Sequence, residues 1–132
     1  MLRTVFSAIA GIVAWAVLVS AADFALRHAW PAYAAAVPSM AFDLPMLIAR
    51  LSESTLALII AAAIAARLAP GSRYAPLAMG IVLLAVFIPI HVGIWSKFPA
   101  WYHMTFLTSL VVVSAFAGGL ARGRTAQAGT PA

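Results

Sequence analysis

Residues 4–22 read TVFSAIAGIVAWAVLVSAA, and no charged side chain interrupts them. A helix of about 20 apolar residues crosses a hydrocarbon core of roughly 30 Å. A strand this long would overrun a bilayer, and barrel strands alternate apolar with polar residues. The stretch therefore reads as a transmembrane helix. Three further runs repeat the pattern. Residues 45–68 start polar, with Arg50, Ser52, Glu53, Ser54 and Thr55, and turn wholly apolar from Leu56 to Ala66. Residues 75–96 are interrupted by Pro89 and His91, and residues 101–121 form the last run. These runs predict an all-α membrane protein, a four-transmembrane-helix antiparallel bundle in a single domain over residues 1–121.

The composition agrees. The chain has 132 residues, 65% of them hydrophobic and 8% charged, where a soluble domain is about half apolar and about a quarter charged. A soluble enzyme, a disordered chain and a disulfide scaffold are excluded on that ground. The net charge of +5 comes from basic residues scattered singly between apolar runs. Such residues set topology in membrane proteins, so no nucleic-acid partner is expected. With no cysteine, disulfides, thiol catalysis and Cys-ligated metals are absent.

Local signals place the boundaries. Asp43 precedes Leu44 and Pro45, the pattern of an N-cap with proline in the first turn. Pro70-Gly71-Ser72 ends the second helix in a tight turn. The outer loop 23–44 holds Trp30, Pro31, Tyr33 and Pro38, which suits an interfacial segment anchored by aromatics. Residues 122–132, RGRTAQAGTPA, read as a disordered tail. Small residues four apart (Ser7 and Gly11; Ala57, Ala61 and Ala65; Ser114 and Gly118) suit close helix packing within one chain. The short links predict that the second and third helices, and the third and fourth, are neighbours.

Orientation follows from the basic residues. With the N-terminus inside, Arg3, Arg67, Arg73, Arg122 and Arg124 fall inside, and Arg27 and Lys97 outside. This predicts both termini in the cytoplasm and a bacterial inner membrane as the setting. Met1 to Ala22 also has features of a signal peptide, with Arg3 ahead of the apolar run and Ser20-Ala21-Ala22 before Asp23. Its apolar run exceeds the usual 7–15-residue core of such peptides, so an uncleaved helix is expected.

That orientation gathers the polar residues into one layer. Asp23 ends the first helix, Arg50 and Glu53 lie in the outer half of the second, His91 in the outer half of the third, and His103 at the start of the fourth. At 1.5 Å per residue Glu53 sits about 12 Å below the outer boundary, Arg50 and His91 roughly 7 Å, and His103 about 3 Å. Arg50 and Glu53 are three apart and are expected to pair. Asp23 and Arg27 are four apart in the favourable acid-first order. His91 and His103 are brought close by a short turn, but their spacing matches no zinc motif, so neither a metal nor another cofactor is expected. No phosphate-binding loop, nucleophile elbow or zinc-protease motif is present, and no enzyme is expected. Trp30, Trp95, Trp101 and Tyr102 read as an aromatic belt at the outer interface.

Residues 97–106, KFPAWYHMTF, resemble a KFP-x-WYH-x-TF segment of small bacterial membrane proteins with no assigned activity. The resemblance covers about ten residues and implies the same four-helix class. Small multidrug-resistance transporters fit less well, because they carry an essential acid in the first helix and residues 4–22 have none. The function expected is that of a small integral membrane protein, structural or partner-binding through helix contacts. Its expected partners are the lipid bilayer and either a second copy or another membrane protein. The alternative is a small transporter or ion-binding protein with a periplasm-facing polar site around Glu53.

Overall fold

A computed structural model describes the backbone of residues 1–128 and the side chains of residues 1–120. The described residues form α1 (Leu2–Ala29), α2 (Pro31–Ala36), α3 (Leu44–Leu68), α4 (Tyr74–Gly93), one 3-10 turn (Trp95–Lys97) and α5 (Ala100–Ala128), with no strand among them. Four helices are long and apolar enough to cross a membrane: α1, α3, α4 and the Ala100–Leu120 part of α5. They are compatible with a small multi-pass integral membrane protein.

The helix ends have local causes. The Asp43 side chain accepts a hydrogen bond from the Met46 amide at 2.9 Å, capping α3 as its sequence suggests. At the other end of α3, Gly71 takes φ 77°, which costs a glycine nothing, and Ser72 N–H reaches Ala69 C=O at 3.0 Å. α1 does not stop at Ala22. It continues through Asp23 and ends where Trp30, extended at φ −131° and ψ 90°, precedes Pro31. The residue before a proline disfavours helix, so Pro31 rather than Asp23 sets the end. The segment 23–44, expected as an outer loop, thus contains the end of α1 and all of α2. α5 runs on to Ala128, within the expected disordered tail, whose residues 129–132 lie outside the described residues.

α1 packs mainly on α3 and α4, and α5 on those same two helices. The order around the bundle is therefore α1, α3, α5, α4. Although the segment Ala69 to Arg73 joins α3 to α4, these two lie across the bundle and touch less than the lateral pairs do. The short link fixes their ends but not their lateral order, so this neighbour expectation is corrected. At one end Arg3 Nε donates to the Leu68 carbonyl at 2.8 Å; at the other Arg50 meets Asp23.

Small residues fill the inside. Ala8, Ala57, Ala61, Ala62 and Ala65 are buried together with Trp15, Leu58, Met79, Leu83, Phe106 and Leu110. Large apolar residues cover the outside: Phe6, Ile9, Val13 and Val17 on α1, Ile59 and Ile60 on α3, Ile81, Val82 and Val86 on α4, Val112 and Phe116 on α5. Water would penalise so large an apolar exterior. Lipid does not, and in lipid close approach of small residues supplies the helix contacts.

Candidate functional site: a polar layer at one end of the bundle

Two polar clusters form near the end where α1 stops and α5 starts. The first centres on Tyr33, a fully buried side chain of α2. Its hydroxyl donates to Asp23 Oδ1 at 2.7 Å and accepts from Arg50 Nη1 at 2.6 Å. Arg50 also reaches Asp23 Oδ1 at 3.5 Å, and Arg27 Nε donates to Asp23 Oδ2 at 2.6 Å. The Arg50 guanidinium lies 4.8 Å from the Phe42 ring centroid and close to the Tyr102 hydroxyl. One carboxylate therefore serves two guanidiniums and a phenol drawn from α1, α2 and α3.

Burial, then the hydrogen bond to Asp23, push the Tyr33 hydroxyl from its ordinary 10.0 up to about 12. Protonated Tyr33 is the form that donates to Asp23. Between the two values an unfolded chain has released this proton while the folded chain holds it. Stability is therefore complete below pH 10, falls as the pH rises through about 12, and stays low above that. Ultraviolet titration of phenolate absorbance is expected to show one tyrosine ionising late, and Tyr33→Phe should remove that step. A late step that survives Tyr33→Phe would place the shifted phenol elsewhere.

The expected Arg50–Glu53 pair is not formed. The guanidinium is engaged by Tyr33 and Asp23, whose oxygens are held by neighbouring elements, whereas Glu53 projects from the same helix as Arg50. Glu53 Oε2 is buried and has no hydrogen-bond partner among the described residues, and neither has Arg50 Nε.

The second cluster is a histidine pair. His103 is fully buried and His91 is 5% exposed. Their Nδ1 atoms lie 2.9 Å apart, and His103 Nε2 lies 3.3 Å from the Trp95 carbonyl. Phe106 stacks on His91 with ring centroids 4.6 Å apart, and Trp95 on His103 at 4.5 Å. Neither Asp23 nor Glu53 joins the pair, and the described residues contain no group of three metal-ligating side chains.

The structure thus joins Asp23 to Arg50, joins His91 to His103, and leaves Glu53 apart from both. Among the aromatics, Trp95 and Trp101 are partly exposed, as belt residues are. Tyr102 differs, being 6% exposed and packed with Leu47 and Phe98. Its ring fills the end of the core, because residue 102 falls on the face of α5 turned towards α3. The residue that sequence reasoning missed is Tyr33, read there only as an interfacial anchor. Its one signal is Pro31, which starts a short helix that folds back over the end of α1.

Comparison with protein-family models, with curated proteins and with solved structures gives no match.

Proposed function

We propose that this chain is a small structural or partner-binding protein of a bacterial inner membrane, without enzymatic activity, acting through contacts of its helices. It would be an antiparallel bundle with both termini in the cytoplasm. The Arg3–Leu68 and Asp23–Arg50 contacts, at opposite ends of α1 and α3, support the antiparallel course. The basic residues and the KFPAWYHMTF resemblance support the setting. One observation carries the functional reading: Asp23 Oδ1, the Tyr33 hydroxyl and Arg50 Nη1 bond one another and so join α1, α2 and α3.

Two shallow grooves, each on a single helix, offer surface to a partner. One on α5, about 490 Å³, is lined by Thr105, Thr108 and Ser109 with Met104, Val112 and Val113. Another on α3, about 430 Å³, is lined by Leu51, Ser52, Thr55 and Leu56. A photoreactive side chain at Thr108 or Ser52 is expected to crosslink to protein in native membranes, and one at Val13 to lipid. Lipid adducts alone at all positions would contradict the reading.

The second reading, a small transporter or ion-binding protein, rests on Glu53 Oε2, which is buried without a partner. A carboxylate in that position suits a cation or a proton. The two readings part on whether water reaches Glu53 from outside.

A further inference from the structure

The hydrogen-bond partners of the two buried histidines fix their tautomers. The Trp95 carbonyl only accepts, so His103 Nε2, 3.3 Å away, carries a hydrogen. A neutral imidazole has one N–H, so Nδ1 of neutral His103 is a bare lone pair. It accepts the hydrogen of His91 Nδ1 across 2.9 Å. Of the four ring nitrogens, His91 Nε2 then keeps an unengaged lone pair, with no hydrogen-bond partner among the described residues.

We propose that His91 and His103 form a binding site for one proton, which enters on His91 Nε2 and whose charge the pair shares across the Nδ1–Nδ1 hydrogen bond. The proton comes from water, and no other bond is made or broken. With Nε2 protonated, His91 is an imidazolium that still donates from Nδ1 to His103. If the bridging hydrogen then crosses to His103 Nδ1, His91 is neutral and His103 carries the charge while still donating to Trp95. Both forms keep both hydrogen bonds. A second proton would place N–H groups on both facing Nδ1 atoms and break the bridge. The capacity of the site is therefore one.

The surroundings suit a shared cation. The rings of Phe106 and Trp95 lie against the two imidazoles at 15° and 14°, and ring faces attract positive charge. Phe87 meets the edge of His91 from within α4. On α5, Tyr102 stacks over His91 at 6.3 Å. From α3 the charged groups on this side are Arg50, close to Tyr102, and Glu53; from α1 they are Asp23 and Arg27; Lys97 lies in the connecting turn. Among the described residues no carboxylate is hydrogen-bonded or ion-paired to either imidazole, so the aromatic rings and the bridge stabilise the charge. The pair lies within a turn of the end of α4 and the start of α5, so a proton has a short path from solvent.

The test is magnetic resonance of ¹⁵N-histidine-labelled protein in lipid bilayers, from about pH 8.5 to about pH 4.5, across the ordinary histidine range. His28→Gln removes the third histidine, which is exposed and bonds its own helix at Phe24. At high pH, hydrogens are expected on His103 Nε2 and His91 Nδ1, with a coupling across the bridge. Acidification should add one proton per chain, protonate His91 Nε2 and move the signals of both residues together. A hydrogen on His103 Nδ1 at high pH would overturn the proposal. So would uptake of two protons, uptake that leaves His91 Nε2 bare, or no uptake down to the lowest pH.

Discussion

Gly80→Ala is expected to destabilise the protein by about 2–3 kcal/mol, the upper part of the range for an overfilled core. A Cβ built at Gly80 meets the Leu110 carbonyl oxygen on the facing helix, Ser114 Oγ at 2.5 Å and Ser114 Cβ at 2.7 Å. Backbone and a short, fully buried side chain offer no slack, so α4 and α5 must separate. Gly11→Ala presents a milder case. Its Cβ meets Met79 Sδ at 2.5 Å and Ala65 Cβ at 3.1 Å. A thioether can swing aside, so the cost is about 1 kcal/mol, offset in part by the preference of helices for alanine over glycine. At Gly119 the Cβ meets nothing within 4 Å, and Gly119→Ala is expected to stay within about 0.5 kcal/mol of the parent. Unfolding in detergent micelles ranks the three variants. A Gly80→Ala protein as stable as Gly119→Ala would mean that α4 and α5 do not approach this closely.

The second large effect lies in the Asp23 cluster, and it is asymmetric. Asp23→Asn leaves Arg50 partly buried with only neutral partners, Tyr33 and the nearby Tyr102 hydroxyl, and a buried Nε that already lacks any. Breaking a fully buried pair costs about 3–5 kcal/mol. The side chains of Arg50 and Asp23 are 29% and 22% exposed, so solvent screening reduces this to about 2 kcal/mol. Arg50→Leu should cost less, about 1 kcal/mol, because Asp23 still accepts from Tyr33 and Arg27. The double variant Asp23→Asn/Arg50→Leu is expected to be more stable than Asp23→Asn alone, since no guanidinium is then left beside Tyr33 without its carboxylate. Equal losses in the two single variants, adding fully in the double, would show that the two residues are not coupled.

Much of the fold is legible in the sequence, and the parts that are not have physical causes. The spans are set by apolar length, and the Asp43 cap and the Gly71 turn by local chemistry, so all of these can be read from consecutive residues. The end of α1 is misread because Asp23 interrupts the apolar run without interrupting the helix; Pro31 does that. The lateral order of the helices rests on which small residues interlock, such as Gly11 with Ala65 and Gly80 with Ser114, and abundant alanine hides that pairing. The polar layer is legible as a layer but not in its connections. Arg50 has Glu53 three residues away and Asp23 twenty-seven away, and sequence distance favours the former. The deciding group is the Tyr33 hydroxyl, whose position depends on α2 folding back over the end of α1. His91 and His103 are a short turn apart, yet that their Nδ1 atoms face each other depends on the rotation of α4 against α5.

The most direct test of an outward-facing polar layer that serves as a dry helix junction is cysteine accessibility, made simple by the absence of native cysteine. Single cysteines at Ser39, Ser52, Ser54 and Ser72 would be labelled in whole cells with a membrane-impermeant thiol reagent. Labelling is expected at Ser39, between α2 and α3, and at none of the other three. Labelling at Ser72 but not Ser39 would invert the orientation, and labelling at the buried Ser54 beside Glu53 would show a hydrated site in place of the dry junction.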